Sequence, residues 1–331
     1  MAQSNTSTSK VAIVVVNYNG EATLEDCLKS IYASTHKNLQ VIVIDNCSSD
    51  ASIAICNKVG VDYIWANESN AGPAVALNQG INMTESDYVL FLASDTKVHQ
   101  YCISELAYHL DVYPKVGITS AMVVHWEKYY QLDSAGEFIN QFGLLVQRHK
   151  NHELDPKYFI YHWLTEVFSA KGTAIMYRRS TKISYDNNYF MFLEDTDFCW
   201  RMWLAGYDVL FVPQALIYHK VSSAINCAPP QWVRYYGARN YITTHLKNMG
   251  LARLIWILPL HIFLWVLFSL RVEHGWAIWR GIGWNFLHWG EIMKKRKKIQ
   301  KNRKITDRYL FNKVMVHITI RDLIEKTRGA K

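Results

Sequence analysis

The first ninety residues alternate between unbroken apolar runs and stretches with helical spacing. Residues 11–16 read VAIVVV, a continuous β-branched run of the kind found in strands covered on both faces of a parallel sheet. After Asn19-Gly20 the period changes, and Leu24, Cys27, Leu28 and Ile31 fall at i, i+3, i+4 and i+7, one face of a helix. Residues 41–44 (VIVI) predict a second buried strand ending in Asp45-Asn46. A helix over about 50–59, a short strand near 63–65, a helix over 74–83 opened by Pro73 and a strand over 88–92 follow. This β-α-β-α-β order predicts an α/β fold with an open, mostly parallel sheet and right-handed crossovers. Ligands of such sheets bind past the carboxyl ends of the strands. Those ends carry Asn17-Tyr18-Asn19, Asp45-Asn46 and Ala93-Ser94-Asp95.

From about 115 to 228 the pattern turns more often. Residues 172–177 predict a strand, 194–205 a helix with Gly206 just past its end, and 208–212 a strand stopped by Pro213. Pro229-Pro230 marks the best boundary, dividing a domain of residues 1–228 from a region of residues 229–331. Beyond it, residues 254–270 are apolar apart from His261 and Ser269, with Pro259 inside, slightly short of the roughly 20 residues that span a bilayer. Ile278, Trp279, Ile282, Phe286 and Trp289 then fall on one helical stripe, with Arg280, Asn285, His288 and Glu291 elsewhere, which predicts an amphipathic helix at a headgroup boundary.

Charge sharpens this division. The net charge of +8 conceals +15 in residues 229–331 and −7 in residues 1–228. Eight of the eleven residues 294–304 are basic, and seven of the 12 Trp lie beyond residue 228. Such a region calls for an anionic partner. Each basic residue near an anionic leaflet is worth about 1 kcal/mol. Half the residues are hydrophobic, enough for a sizeable core. The six Cys form no C-x-x-C pair, and the first ten residues lack an apolar leader core. The expectation is reduced thiols, mostly small core residues, in a cytosolic compartment.

Four places carry candidate chemistry. Asp95, just past a buried strand, could bind a divalent cation bridging a diphosphate, or simply cap a turn. Asp45 could accept hydrogen bonds from a base or ribose, or cap the following helix. Glu194, Asp195 and Asp197 open a helix, where the macrodipole stabilises acids by roughly 0.3–1 kcal/mol. Clustering raises carboxylate pKa values, so one of them could equally serve as a general base. His219 could be a metal ligand or an ordinary structural histidine.

Taken in order, these segments resemble the family 2 glycosyltransferases of the GT-A type, within them the rhamnosyltransferase-like branch. The resemblance spans about residues 10–245. It runs through VAIVVVNYNGEATLEDCLKSI, VIVIDNCSSD, NESNAGPAVALNQGI, FLASDTKV, FSAKGTAIMYRR and YFMFLEDTDFCWRMWLAGYDVLFVPQALIYH. It implies a GT-A nucleotide-diphospho-sugar transferase fold with a Rossmann-like sheet, followed by a helical membrane-associating region. It assigns Asn17, Tyr18, Asn19, Asp45, Asn70, Gly72 and Asp95 to the nucleotide sugar. Asp95 and His219 would bind Mg²⁺ or Mn²⁺. Asp195, with Glu194 as the alternative, would be the general base. Gly172, Trp200 and Arg239 would face the acceptor, Arg239 at a diphosphate or lipid phosphate. One departure stands out: the first acid of a full D-x-D motif is Ala93 here.

The activity so implied is an inverting transfer from a nucleotide-diphosphate sugar to a lipid-linked or cell-surface glycan. dTDP-rhamnose is the donor the branch suggests; UDP- and GDP-sugars stay open. The protein would sit on the cytoplasmic face of a membrane, peripheral or monotopic, against anionic lipid, with no nucleic acid as partner. Two other classes remain at this point: an inactive scaffold of the same fold, and a nucleic-acid binder acting through the basic region.

Overall fold

The computed structural model describes residues 7–148, 153–154, 164–220 and 228–318. The elements are β1 (Val11–Asn17), α1 (Glu21–Tyr32), β2 (Leu39–Asp45), α2 (Ser52–Val59), β3 (Tyr63–Ala66), α3 (Pro73–Asn82) and β4 (Tyr88–Ala93). They continue through β5 (Thr96–Val98), α4 (Cys102–Val112), β6 (Val116–His125), β7 (Leu132–Ser134), β8 (Glu137–Asn140), β9 (Leu145–Gln147), β10 (Thr165–Glu166), β11 (Ala174–Arg178), α5 (Glu194–Leu204) and β12 (Asp208–His219). The C-terminal region adds α6 (Pro230–Asn248), α7 (Leu251–Ser269), α8 (Gly275–Leu287), α9 (Trp289–Lys301), α10 (Asp307–Val314) and β13 (Met315–Val316).

The main sheet runs β10-β12-β6-β11-β4-β1-β2-β3, with β5 beside β12 and β7 beside β6. β3, β2, β1 and β4 are parallel, whereas β11 runs antiparallel between β4 and β6. The VAIVVV run explains its own position. Ala12 and Val14 point into one apolar cluster with α3 and α5, and Val11, Ile13 and Val15 into the other with α1 and α4. A strand buried on both faces can afford no polar alternation. On the α1 side, the predicted Leu24, Cys27, Leu28 and Ile31 are fully buried. The buried Cys27, Cys56, Cys102 and Cys199 are free, as is the exposed Cys47; Cys227 lies outside the described residues.

Two expectations change. Pro213 does not stop a strand: β12 runs on to His219 over a register irregularity between Val212 and Leu216. A bulge is where a strand tolerates a residue without an N–H. The stripe predicted on residues 278–289 also divides. Ile278 and Ile282 are buried, while Trp279, Phe286 and Trp289 are about half exposed or more. The helix breaks at His288, and Asn285 turns inward to accept from the Thr243 hydroxyl at 2.7 Å. Gly281 permits this close crossing, since a Cβ there would sit 2.5 Å from the Tyr235 carbonyl.

The core is continuous past residue 229. Leu246, Met249, Leu254, Ile257, Ile278 and Ile282 belong to the same cluster as Phe168, Trp200 and Trp203. Charge fastens the seam. Lys247, 1% exposed in its side chain, meets Asp186 at 2.5 Å and Asp197 at 3.0 Å, and Lys295 meets Asp186 at 2.7 Å. Lys313 pairs with Glu166 and Asp208. Part of the +15/−7 asymmetry therefore holds the tail onto the sheet domain.

Candidate active site

The carboxyl ends of the strands bring most of the expected residues to one rim. β1 and β2 end in register, Asn17 opposite Asp45. Asn17 Nδ2 donates to Asp45 Oδ2 at 2.7 Å, and Ser48 donates to the same carboxylate through both its amide and its hydroxyl. Asp45 is thus fixed and 2% exposed. Asn19, at φ 50°, accepts from the Ser49 amide, which leaves Tyr18 half exposed beside the loop. Asn70 shapes the next loop by accepting from the Gly72 amide at 3.0 Å. Gly72 has φ +80°, and a Cβ there would meet the Phe190 carbonyl at 2.7 Å, so only glycine fits.

Strand pairing also brings Asp95 to His219. β5 lies antiparallel to β12 with Thr96 opposite His219, so the preceding Asp95 falls beside the imidazole. His219 Nε2 and Asp95 Oδ2 are 3.4 Å apart. On the other side, β7 pairs with β6, the neighbour of β12, and presents Asp133. Asp133 Oδ2 lies 2.7 Å from His219 Nδ1 and 2.5 Å from Lys171 Nζ. Burial works to raise Asp133, but His219 and Lys171 hold it well below the usual carboxylate range. His219 itself is raised: burial lowers it, and the Asp133 and Asp95 hydrogen bonds outweigh that.

The chain of contacts continues into the acidic helix start. Lys171 is followed by Gly172, whose amide donates to Asp195 Oδ2 at 2.8 Å. Asp195 Oδ1 accepts from the Thr196 amide at 2.7 Å. Burial raises the Asp195 carboxyl despite these amides. Glu194 is pushed up to about 8 by burial and then by Asp195, and its Oε2 has no partner. Glu137, at the start of β8, is pushed up to about 7 by burial and by the Asp195 charge. At neutral pH Glu194 therefore keeps its proton and Glu137 keeps part of its own, where free carboxylates would have lost theirs.

Two acceptor candidates lie away from the rim. Trp200 is fully buried, edge-on to Phe168 and His245 at 5.1 and 5.4 Å, and is a core residue. Arg239 sits 3.7 Å over the Trp284 ring and donates to the Asn188 carbonyl at 2.8 Å, which places it in the seam between α6 and α8. Gly172 lies at the rim, against Asp195. Sequence reasoning missed Asp133, Lys171 and Glu137. The first and third lie on short strands of three and four residues that give no readable period.

The donor set could contribute two ligands to a divalent cation. Asp95 and His219 offer an oxygen and a nitrogen facing each other, although no group of three or more His, Cys, Asp or Glu among the described residues could hold a metal. Two protein ligands with phosphate and water completing the shell is the usual economy of Mg²⁺-type sites.

A mostly parallel sheet with Asp45, the Asp95–His219 pair and the acid-rich start of α5 along one rim has the architecture of a GT-A fold. The chain belongs to glycosyl transferase family 2, whose family model matches residues 12–180. It is similar to the poly-beta-1,6-N-acetyl-D-glucosamine synthase of Staphylococcus aureus, 25% identical over 231 residues. That match takes in 68% of this chain and 53% of the synthase. The curated relatives are longer, and only 14% of the Streptococcus pneumoniae glycosyltransferase GlyA is matched. Among solved structures, S. aureus TarS 1-349 with UDP-GlcNAc superposes with a TM-score of 0.58 at 17% identity, over 88% of this chain and 90% of that one. The mannosyltransferase PcManGT of Pyrobaculum calidifontis, in complex with GDP-Man and Mn²⁺, gives 0.53 at 15% identity, over 87% and 77%. At these identities the superpositions speak for the fold.

Proposed function

We propose that this enzyme is an inverting transferase that moves a sugar from a nucleoside-diphosphate donor to a lipid-linked or cell-surface glycan. The observation that carries the reading is the unbroken line of contacts from Asp95 through His219, Asp133 and Lys171-Gly172 to Asp195. It would set a donor-side pair and an acceptor-side acid on one rim. Asn17, Tyr18, Asn19 and Asp45 would hold the nucleoside, with Asn70 and Gly72 shaping the loop beside it.

Asp95 and His219 would hold the divalent cation, Mg²⁺ or Mn²⁺. When bound, it would neutralise the charge growing on the departing diphosphate. Asp195 takes the proton of the acceptor hydroxyl as that oxygen attacks the anomeric carbon from the opposite face. It suits this task better than Glu194. Two backbone amides stabilise ionised Asp195, while Glu194, buried with an unpartnered oxygen, keeps its proton at neutral pH. Holding both substrates in line supplies much of the acceleration.

The tail would rest on the cytoplasmic face of an anionic membrane. Trp256 is 79% exposed, and Phe263, Trp279, Phe286 and Leu287 add to an apolar surface that a protein in water seldom shows. Helix α7 is long and apolar enough to cross a bilayer. Its Leu254, Ile257 and His261 are nevertheless buried against the body, with His261 Nε2 2.7 Å from the Phe142 carbonyl. A helix docked along one side favours lying in the interface, a monotopic arrangement.

The test is a panel of dTDP-rhamnose, UDP-GlcNAc and GDP-mannose with Mn²⁺ or Mg²⁺, read by thermal stabilisation and by release of nucleoside diphosphate. One donor should raise the melting temperature in a metal-dependent way. Transfer that proceeds undiminished in excess chelator would overturn the metal role.

A further inference from the structure

His219 stands between two carboxylates that cannot be doing the same thing. Asp95 lies across a 3.4 Å gap from Nε2, whereas Asp133 is in full hydrogen-bond contact with Nδ1 at 2.7 Å. Asp133 is 2% exposed and has a second partner, since the same Oδ2 receives Lys171 Nζ. An ionised carboxylate only accepts, so Asp133 holds a proton on Nδ1 and leaves Nε2, which faces Asp95, as the nitrogen that would ligate a metal.

We propose that Asp133 is a positioning residue for the metal site: it fixes the ring and tautomer of His219, with Lys171 as its anchor. The inference rests on the metal reading above and deepens it. Imidazole ligands commonly donate their second N–H to a carboxylate, and loss of that partner weakens metal binding 10–100-fold. Lys171-Gly172 also spans the two halves of the site. Its side chain fastens the carboxylate behind His219, and the next amide fastens Asp195. A displacement of this dipeptide therefore moves donor-side and acceptor-side groups together.

The competing account is a buried ion pair that serves stability alone. Removing both partners avoids stranding a buried charge, so Lys171→Met is compared with the double variant Asp133→Ala/Lys171→Met. Mn²⁺ is titrated into the full chain, alone and with inorganic pyrophosphate, and uptake is followed by electron paramagnetic resonance. The double variant should bind Mn²⁺ 10–100-fold more weakly than Lys171→Met. Metal-free melting temperatures are recorded for both, so that a difference in stability is not read as a difference in affinity. Equal Mn²⁺ affinity in the two variants, at whatever level, overturns the assignment. His219→Ala separates the layers: if it binds Mn²⁺ like wild type, or if wild type takes up none, the metal reading falls and the inference with it. Should the double variant not fold, Asp133→Asn replaces it; its Mn²⁺ affinity must fall several-fold, and an unchanged value overturns the proposal.

Discussion

Asp195 and Asp197 occupy the first turn of one helix, two residues apart, yet belong to different regions of the molecule. Asp195 faces the strand-end rim with Glu194 and Glu137. Asp197 faces the seam, where Arg201 Nε lies at 2.8 Å and Lys247 Nζ at 3.0 Å, and Asn248 donates at 2.8 Å. The macrodipole and burial act on both. Burial works to raise both, but Lys247 and Arg201 bring Asp197 below its ordinary value, whereas Asp195 stays raised. No Lys, Arg or His among the described residues forms an ion pair with Glu194 or Asp195. Partners, more than position on the helix, decide which acid is structural and which is left able to accept a proton.

The largest effect should come from exchanging these roles. Asp195→Asn should lower turnover 10²–10⁴-fold, the span for loss of a general base, with donor affinity nearly unchanged. Asp197→Ala should do the reverse. It leaves Arg201 in the seam without its carboxylate and Lys247 with Asp186 alone, and costs about 3–5 kcal/mol of stability, while turnover of the folded enzyme at low temperature stays near wild type. Chemical denaturation and initial rates on both variants check this. Equal losses of rate in the two would erase the distinction between rim and seam.

A smaller effect concerns pH. Glu194 has an ordinary value of 4.5 and is raised to about 8 in the folded chain. Between those values the native state holds a proton that the unfolded chain has released. Its contribution is therefore full below about pH 4.5 and is lost as pH rises through about 8. Glu194→Gln removes this loss. Its melting temperature should converge with wild type near pH 5 and exceed it at pH 8. Melting curves that stay parallel across this range would show Glu194 to be ionised throughout.

Much of this was legible in the sequence where one periodicity held for long enough. The VAIVVV run, the helical spacing of Leu24 to Ile31 and the Pro73 helix start each appear in the structure where the pattern puts them. The approach of Asp95 to His219 was legible only through the family resemblance, because it depends on β5 pairing with β12 across more than a hundred residues. Asp133 was invisible for a related reason. Its strand is three residues long, and its role is set by neighbours distant in sequence. The stripe on residues 278–289 misled because the Ile positions pack against α6 while the adjacent Trp and Phe do not. Spacing reports which residues share a face; it does not report which side of that face another helix has taken.

The basic run at 294–304 gives the smallest and most local test of rim against seam. It was expected to meet lipid as a block, but the structure divides it. Lys295 pairs with Asp186 and Glu291, Arg296 donates to the Leu246 and Met249 carbonyls, and Arg303 pairs with Asp307. Lys294, Lys297, Lys298 and Lys301 remain exposed. Only exposed ammonium groups can enter the potential of an anionic leaflet, each worth about 1 kcal/mol or roughly fivefold in affinity. Lys298→Gln should therefore weaken binding to phosphatidylserine vesicles about fivefold at low salt and leave the melting temperature unchanged. Lys295→Gln, three positions earlier, should lower the melting temperature and leave vesicle binding nearly intact, because its charge is already spent on Asp186. Equal vesicle binding by Lys298→Gln and wild type would place the membrane contact elsewhere, on the apolar face of α7 and α8 alone.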